Sequence, residues 1–162
     1  MAAFQRTLLV GNTPYDQFQA GKNEALSAAA QRGMHLFFNK ANCSACHSGT
    51  YFSDGGFHNI GVPLRAGAPV DKGRAGVTGL LGDHRSFKTP SLREVSRTAP
   101  YMHDGSLKTL EEVIEHYDRG GDGNEQQDEE IYPLHLSPNE KEDLRSFLIE
   151  ALSSRDKSPF EN

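Results

Sequence analysis

The chain has 162 residues, 36% of them hydrophobic, no tryptophan, and a formal net charge of −5 at pH 7. That length suits one domain with a core of its own. The acidic balance, with no long basic run, excludes nucleic acid as a partner, and no apolar run reaches the length of a membrane-spanning helix.

Residues 1–10 read as the end of a helix, stopped by Gly11-Asn12-Thr13-Pro14. That helix begins without a cap. Met1-Ala2-Ala3-Phe4-Gln5-Arg6-Thr7 also lacks the basic start and apolar block of a signal peptide. A second helix is predicted over 27–39, with Met34, Phe37 and Phe38 at helical spacing. Such a stripe ordinarily marks core.

Next comes Cys43-Ser44-Ala45-Cys46-His47, the attachment signature of a c-type haem. Each cysteine forms a thioether to a vinyl group, and the histidine becomes the proximal iron ligand. Two intervening residues let both thiols reach one macrocycle while the next residue places its imidazole under the iron. These are the only cysteines in the chain. A redox C-x-x-C would sit near a βαβ pattern, which is missing, and a zinc site would need a second ligand pair. Covalent haem is therefore expected, and it would supply much of the apolar interior.

Residues 49–100 are rich in Gly and Pro without a sustained period. They read as ordered loop with short strand pairs at most, wrapped around the cofactor. Thr109-Leu110-Glu111-Glu112 is a capping box, after which Leu110, Val113, Ile114 and Tyr117 line one helix face; Arg119-Gly120-Gly121 ends it. Residues 122–130 are acidic and poor in apolar side chains, and read as a mobile, solvated loop, with a docking patch as the alternative. Ser137-Pro138-Asn139-Glu140 is a second capping box, and Leu144, Phe147, Leu148 and Leu152 form the apolar face of the last helix.

The sixth coordination position decides what a haem does: open, it admits peroxide or oxygen; filled, it favours electron transfer. The candidates are Met34, Met102, His35, His58, His84, His103, His116, His135 and the tyrosines. Met102 is suggested by the common His/Met pairing. Tyr117 points inward from a capped helix, where the plain alternative is a core tyrosine with a satisfied hydroxyl.

From Phe4 to about Leu152 the chain resembles the C-terminal haem domain of the bacterial di-haem cytochrome c peroxidases, and within them the MauG-like branch. Arg32-Gly33-Met34-His35-Leu36-Phe37-Phe38, the haem motif, Phe57-His58-Asn59-Ile60-Gly61-Val62 and Asp71-Lys72-Gly73-Arg74 carry part of the resemblance. Phe87-Lys88-Thr89-Pro90-Ser91-Leu92-Arg93, Thr98-Ala99-Pro100-Tyr101-Met102-His103-Asp104-Gly105 and Leu110-Glu111-Glu112-Val113-Ile114-Glu115-His116-Tyr117 carry the rest. The resemblance implies that the distal ligand stands on the helix after the Pro-Tyr-x-His-x-Gly segment, which is Tyr117. Peroxidase members carry Met there and the MauG-like branch Tyr, so the pattern favours Tyr117 over Met102. An anionic phenolate would favour ferric iron.

The family also holds calcium between two domains, partly through carbonyls matching Thr98 and Pro100; its other contacts come from a preceding half that this sequence does not match. That half bears the peroxide-reacting haem and a tryptophan between the haems. The expectation is thus a mostly α, single cytochrome c-like domain over 1–162, with about three core helices around one haem and long ordered loops. Residues 1–10 would end an interdomain helix, and 153–162 would form a tail. The expected role is electron transfer to or from a haem c held by Cys43 and Cys46, with His47 and Tyr117 on iron. The alternatives are a peroxidase with His103 as acid–base group, a His/Met electron carrier, or a non-enzymatic sensor or docking module. The expected partner is a redox protein or a missing N-terminal haem domain. Apolar surface near Phe4 and Leu8 adds self-association as a homo-oligomer. The expected location is periplasmic or otherwise extracytoplasmic, with the signal not present in this chain.

Overall fold

The computed structural model describes residues 11–64, 67 and 69–154; the helix read over 1–10, and with it Phe4 and Leu8, lies outside them. Nearly all regular structure is helical. α1 (Pro14–Gln19) starts from Thr13, whose hydroxyl accepts from the Asp16 amide, while the Asp16 carboxylate takes the Thr13 amide at 3.0 Å. α2 (Ala28–Phe38) is capped by Ser27, so the predicted 27–39 helix holds, caps included. Each such cap satisfies amides that have no partner inside the helix and stabilises by about 1 kcal/mol.

The long 49–100 stretch is loop, as expected, with little regular structure. β1 (Phe57–His58) and β2 (Phe87–Lys88) pair antiparallel, Phe57 opposite Lys88 and His58 opposite Phe87. Between them lies a one-turn helix, α3 (Ala75–Thr78). α4 (Leu110–Asp118) and α5 (Pro138–Ser146) both begin at the predicted capping boxes. α5 runs straight into a π-helical turn, Phe147–Ala151, which buries Phe147, Leu148 and Ala151. Ser153 and Ser154, where the tail was expected, are fastened: Ser153 shares a 2.6 Å hydrogen bond with Ser96, and the Ser154 amide donates to Glu94 at 2.7 Å.

The core forms where α2 lies against α5. Gly33 makes this possible, because a Cβ there would collide with the backbone carbonyl of Asp143. Phe37, Phe147 and Phe52 are buried beside it, with ring centroids 5.2 Å (Phe37–Phe147) and 5.8 Å (Phe37–Phe52) apart. Tyr15 of α1 closes the cluster edge-on to Phe52 at 5.0 Å. The stripe predicted on α2 divides. Phe37 is buried, Met34 is half-buried against the core, and Phe38 is 40% exposed, because it stands a further 100° around the helix. Among the described residues, no helix is long and apolar enough to cross a membrane.

Candidate functional site

The α2–α5 core opens into a cavity of about 480 Å³, within the range of small-molecule and cofactor pockets. Its walls come from residues spread between Phe37 and Leu148. Phe37 closes one end; Leu110, Val113, Ile114 and Tyr117 face it from α4; Leu144 and Leu148 from the last helix. His58, Phe87 and Lys88 of β1 and β2, and segments around 89–92, 98–103 and 130–134, also line it, with Cys43, Cys46 and His47 on the wall.

Local backbone explains why both thiols face one space. Asn42, at φ +52°, starts a 3₁₀ turn, Cys43–Ala45, which ends on Cys46. In that geometry residues i and i+3 eclipse. The two cysteines are not joined to each other as a disulfide. Burial pushes Cys43 up to about 12. Burial, then the carboxylates of Asp128, Asp54 and Glu130, pushes Cys46 up to about 11. A redox C-x-x-C works the other way, with one thiol lowered.

His47 Nδ1 lies 2.9 Å from the carbonyl oxygen of Phe52. A carbonyl can only accept, so Nδ1 carries the proton and Nε2 the lone pair. Burial lowers the His47 pKa against the pull of that carbonyl. The result is a neutral, oriented imidazole, the form that binds metal. Burial first, and then repulsion from Cys43 and Cys46 when ionised, raises the Tyr117 phenol above its ordinary range. Two attachable thiols, a lone-pair imidazole, a phenol and apolar walls together suit a c-type haem.

Of the candidates for the sixth position, His58, His103, Met102 and three tyrosines (101, 117 and 132) border the cavity; Met34, His35, His84, His116 and His135 do not. His116 is buried and engaged with the Ile60 carbonyl at 2.8 Å. The Tyr101 hydroxyl donates to Val95 at 3.0 Å, and Tyr132 is 45% exposed. His103, the expected acid–base group, is exposed at the rim and stacked on Phe87 at 3.6 Å. His58 has a carboxylate on each ring nitrogen. Met102 and Tyr117 remain. Thr98 and Pro100 also border the cavity. Among the described residues, the side-chain cluster with metal-ligand spacing is Cys46, Asp54 and His58.

The acidic 122–130 stretch corrects the sequence reading. It is a strap held to 58–61, not a free solvated loop. The Asp122 and Asp128 amides donate to the Gly61 and Asn59 carbonyls at 3.0 and 2.9 Å, and Asn59 donates to Asn124 at 2.8 Å. His58 bridges Asp128 (2.6 Å) and Asp54 (2.8 Å). Burial alone would lower the His58 pKa, but the two carboxylates raise it. Asp54 and Asp128 are lowered, their hydrogen bonds to His58 outweighing burial. A raised histidine contributes stability fully below its unfolded value of about 6.5, lost as pH climbs through the folded value. The aspartates contribute above about 3.9, and that part is lost as pH falls through their lowered values. The strap is therefore tightest between these limits. Partial exposure holds the effect near 1 kcal/mol, about a fivefold change in opening. Limited proteolysis within 122–130 should accelerate as pH rises through the His58 titration, and His58→Gln should remove that step. A cleavage rate flat with pH in the unmodified chain would refute the latch.

No protein-family model matches the chain. It is 43% identical over 148 residues to the methylamine utilization protein MauG of Methylorubrum extorquens, covering 91% of this chain and 41% of that protein. It is 40% identical over 182 residues to the cytochrome-c peroxidase IdrP1 of Denitromonas iodatirespirans, covering 94% and 48%. Among solved structures it superposes on a MauG-like protein associated with microbial copper homeostasis, with a TM-score of 0.83, 34% identity, and coverage of 94% and 55%. The chain thus spans less than half the length of these two relatives.

Proposed function

The chain belongs to the family of MauG and the bacterial cytochrome c peroxidases, matching their C-terminal part, and from that premise we propose that it is a haem c redox module whose task is electron transfer. Cys43 and Cys46 would hold one haem covalently, and His47 and Tyr117 would bind its iron. A haem in this cavity supplies a one-electron ferric/ferrous couple. The observation that carries the reading is that two cysteines, His47 with its Nδ1 taken by the Phe52 carbonyl, and the Tyr117 phenol all border one apolar cavity. His47 is held by the Phe52 carbonyl, and its burial keeps it unprotonated for the iron. Tyr117 carries a proton on its hydroxyl, and a cation beside it favours the phenolate. Apolar side chains from α4 and the last helix exclude water from the face they cover.

The location we propose is periplasmic, and the partner a redox protein or a further haem domain, given the greater length of the relatives. A second reading, peroxidase action on hydrogen peroxide with His103 as acid–base group, is favoured by the names of the relatives and by His103 at the cavity rim. A titration of the ferric holoprotein with hydrogen peroxide, in the presence of a reduced small cytochrome as donor, separates them. We expect a ligated ferric spectrum that peroxide leaves in place, and no catalytic oxidation of the donor. Sustained peroxide-dependent oxidation would replace electron transfer by the peroxidase reading.

A further inference from the structure

Arg93 does not touch the cavity, yet its side chain is only 7% exposed and all five of its N–H donors are engaged. Nε and Nη2 donate to the Thr50 carbonyl at 3.0 and 2.9 Å. Nη1 donates to the Thr13 hydroxyl and to Asp16 Oδ2, both at 2.9 Å, and Nη2 to Asp16 Oδ1 at 2.8 Å. The guanidinium also lies over the Phe52 ring, 5.2 Å from its centroid. Two residues earlier, the Ser91 hydroxyl donates to the Tyr51 carbonyl at 2.6 Å. One short segment therefore grips the backbone at 50 and 51 and the ring at 52.

What it grips matters for the site. Phe52 has φ +51°, a left-handed conformation that costs a non-glycine residue on the order of 1–2 kcal/mol. Something must hold it there. In that conformation its carbonyl receives the Nδ1 proton of His47 at 2.9 Å. The ring is 2% exposed, wedged between the guanidinium and Tyr15. The Asp16 carboxylate, lowered by its bonds to Arg93 and Thr13 despite burial, stays ionised and keeps the fork in place. Arg93 joins a helix at one end of the described chain to the loop that orients the imidazole.

We infer that Arg93, backed by Asp16, is a positioning residue for His47: it fixes the Phe52 carbonyl, and through it the orientation and electron donation of the imidazole toward a bound haem iron. The inference rests on His47 being the proximal ligand. An acceptor on Nδ1 raises the basicity of a ligating histidine. A stronger donor stabilises ferric iron, so a slack Phe52 carbonyl must raise the reduction potential.

The test uses the holoprotein and three substitutions. Arg93→Lys removes the bidentate fork but keeps the charge; Asp16→Asn weakens the anchor behind it. Arg32→Ala is the control: it removes another fork, on Asp143, that makes no hydrogen bond to residues 50–52. We measure midpoint potential by spectroelectrochemistry, solvent exchange of the His47 Nδ1 proton by NMR, and the thermal midpoint. Arg93→Lys should raise the potential and speed that exchange roughly fivefold, the net worth of about one hydrogen bond. Asp16→Asn should move both the same way by less, and it decides the matter if Arg93→Lys does not retain haem. Arg32→Ala should shift neither. Lower melting with unchanged potential and exchange in both Arg93→Lys and Asp16→Asn would make Arg93 a structural tie and overturn the inference. A spectrum unaltered by His47→Ala would instead sink the ligand assignment, independently of this series.

Discussion

Tyr117→Phe is expected to open the sixth position of the bound haem, change the ferric spectrum and admit cyanide or peroxide, while Met102→Leu leaves the spectrum nearly unchanged. Both side chains border the cavity, so lining alone does not choose between them. Their supports differ. Tyr117 stands on α4, which is fixed by a complete capping box and by buried Leu110 and Ile114 on the same face. Met102 sits in a short turn at φ +71°, between Tyr101 and Leu107, whose backbones pair. A ligand on a packed helix is held in place before the metal arrives; a ligand on such a turn must be ordered at additional entropic cost. The resemblance to the MauG-like branch points the same way. Each 1.4 kcal/mol of iron–phenolate bonding that cyanide no longer displaces is worth about tenfold in its affinity, so a gain of at least that size is expected. A spectrum that responds to Met102→Leu and ignores Tyr117→Phe would return the chain to the His/Met electron carriers.

A chain with both cysteines replaced, Cys43→Ala with Cys46→Ala, should yield haem that acid–acetone extracts, and after extraction a chain without a cooperative melt. The unmodified holoprotein should keep its pigment under the same treatment. The second effect follows from the size of the cavity. At about 24 cal/mol per Å³, an unfilled apolar space of this volume would cost on the order of 10 kcal/mol. Entry of water and collapse of the walls reduce that figure, but the whole stability of a domain is only about 5–15 kcal/mol. The capped helices should persist in part, giving a compact state with helical far-ultraviolet dichroism, a broad thermal transition and dye-accessible apolar surface. A haem-free double variant that melts as sharply as the holoprotein would show that the cavity is not a part of the core that a cofactor completes.

The amino-acid sequence determined what depends on near neighbours. Three helix starts were legible because each rests on a hydroxyl and an amide three residues apart, at Ser27, Thr109 and Ser137. The haem motif was legible for the same reason: an i, i+3 spacing in one turn brings both thiols to one side. The poverty of regular structure over 49–100 followed from its glycines and prolines. Tertiary structure alone decided the rest, because the partners are far apart along the chain and the same side chains in other surroundings would do something else. His58, an unremarkable candidate ligand in the sequence, is taken up by Asp128 seventy positions on, and that pair turns an acidic stretch into a strap. His116 and Tyr117 are adjacent, yet one binds the Ile60 carbonyl and the other faces the cavity, a division set by helix phase and by what packs against each side. Gly33 carries no turn signal; its need is visible only where the Asp143 backbone passes over it. The acceptor for His47 is a backbone carbonyl, which no side-chain pattern encodes, held by an arginine whose carboxylate partner lies 77 residues away.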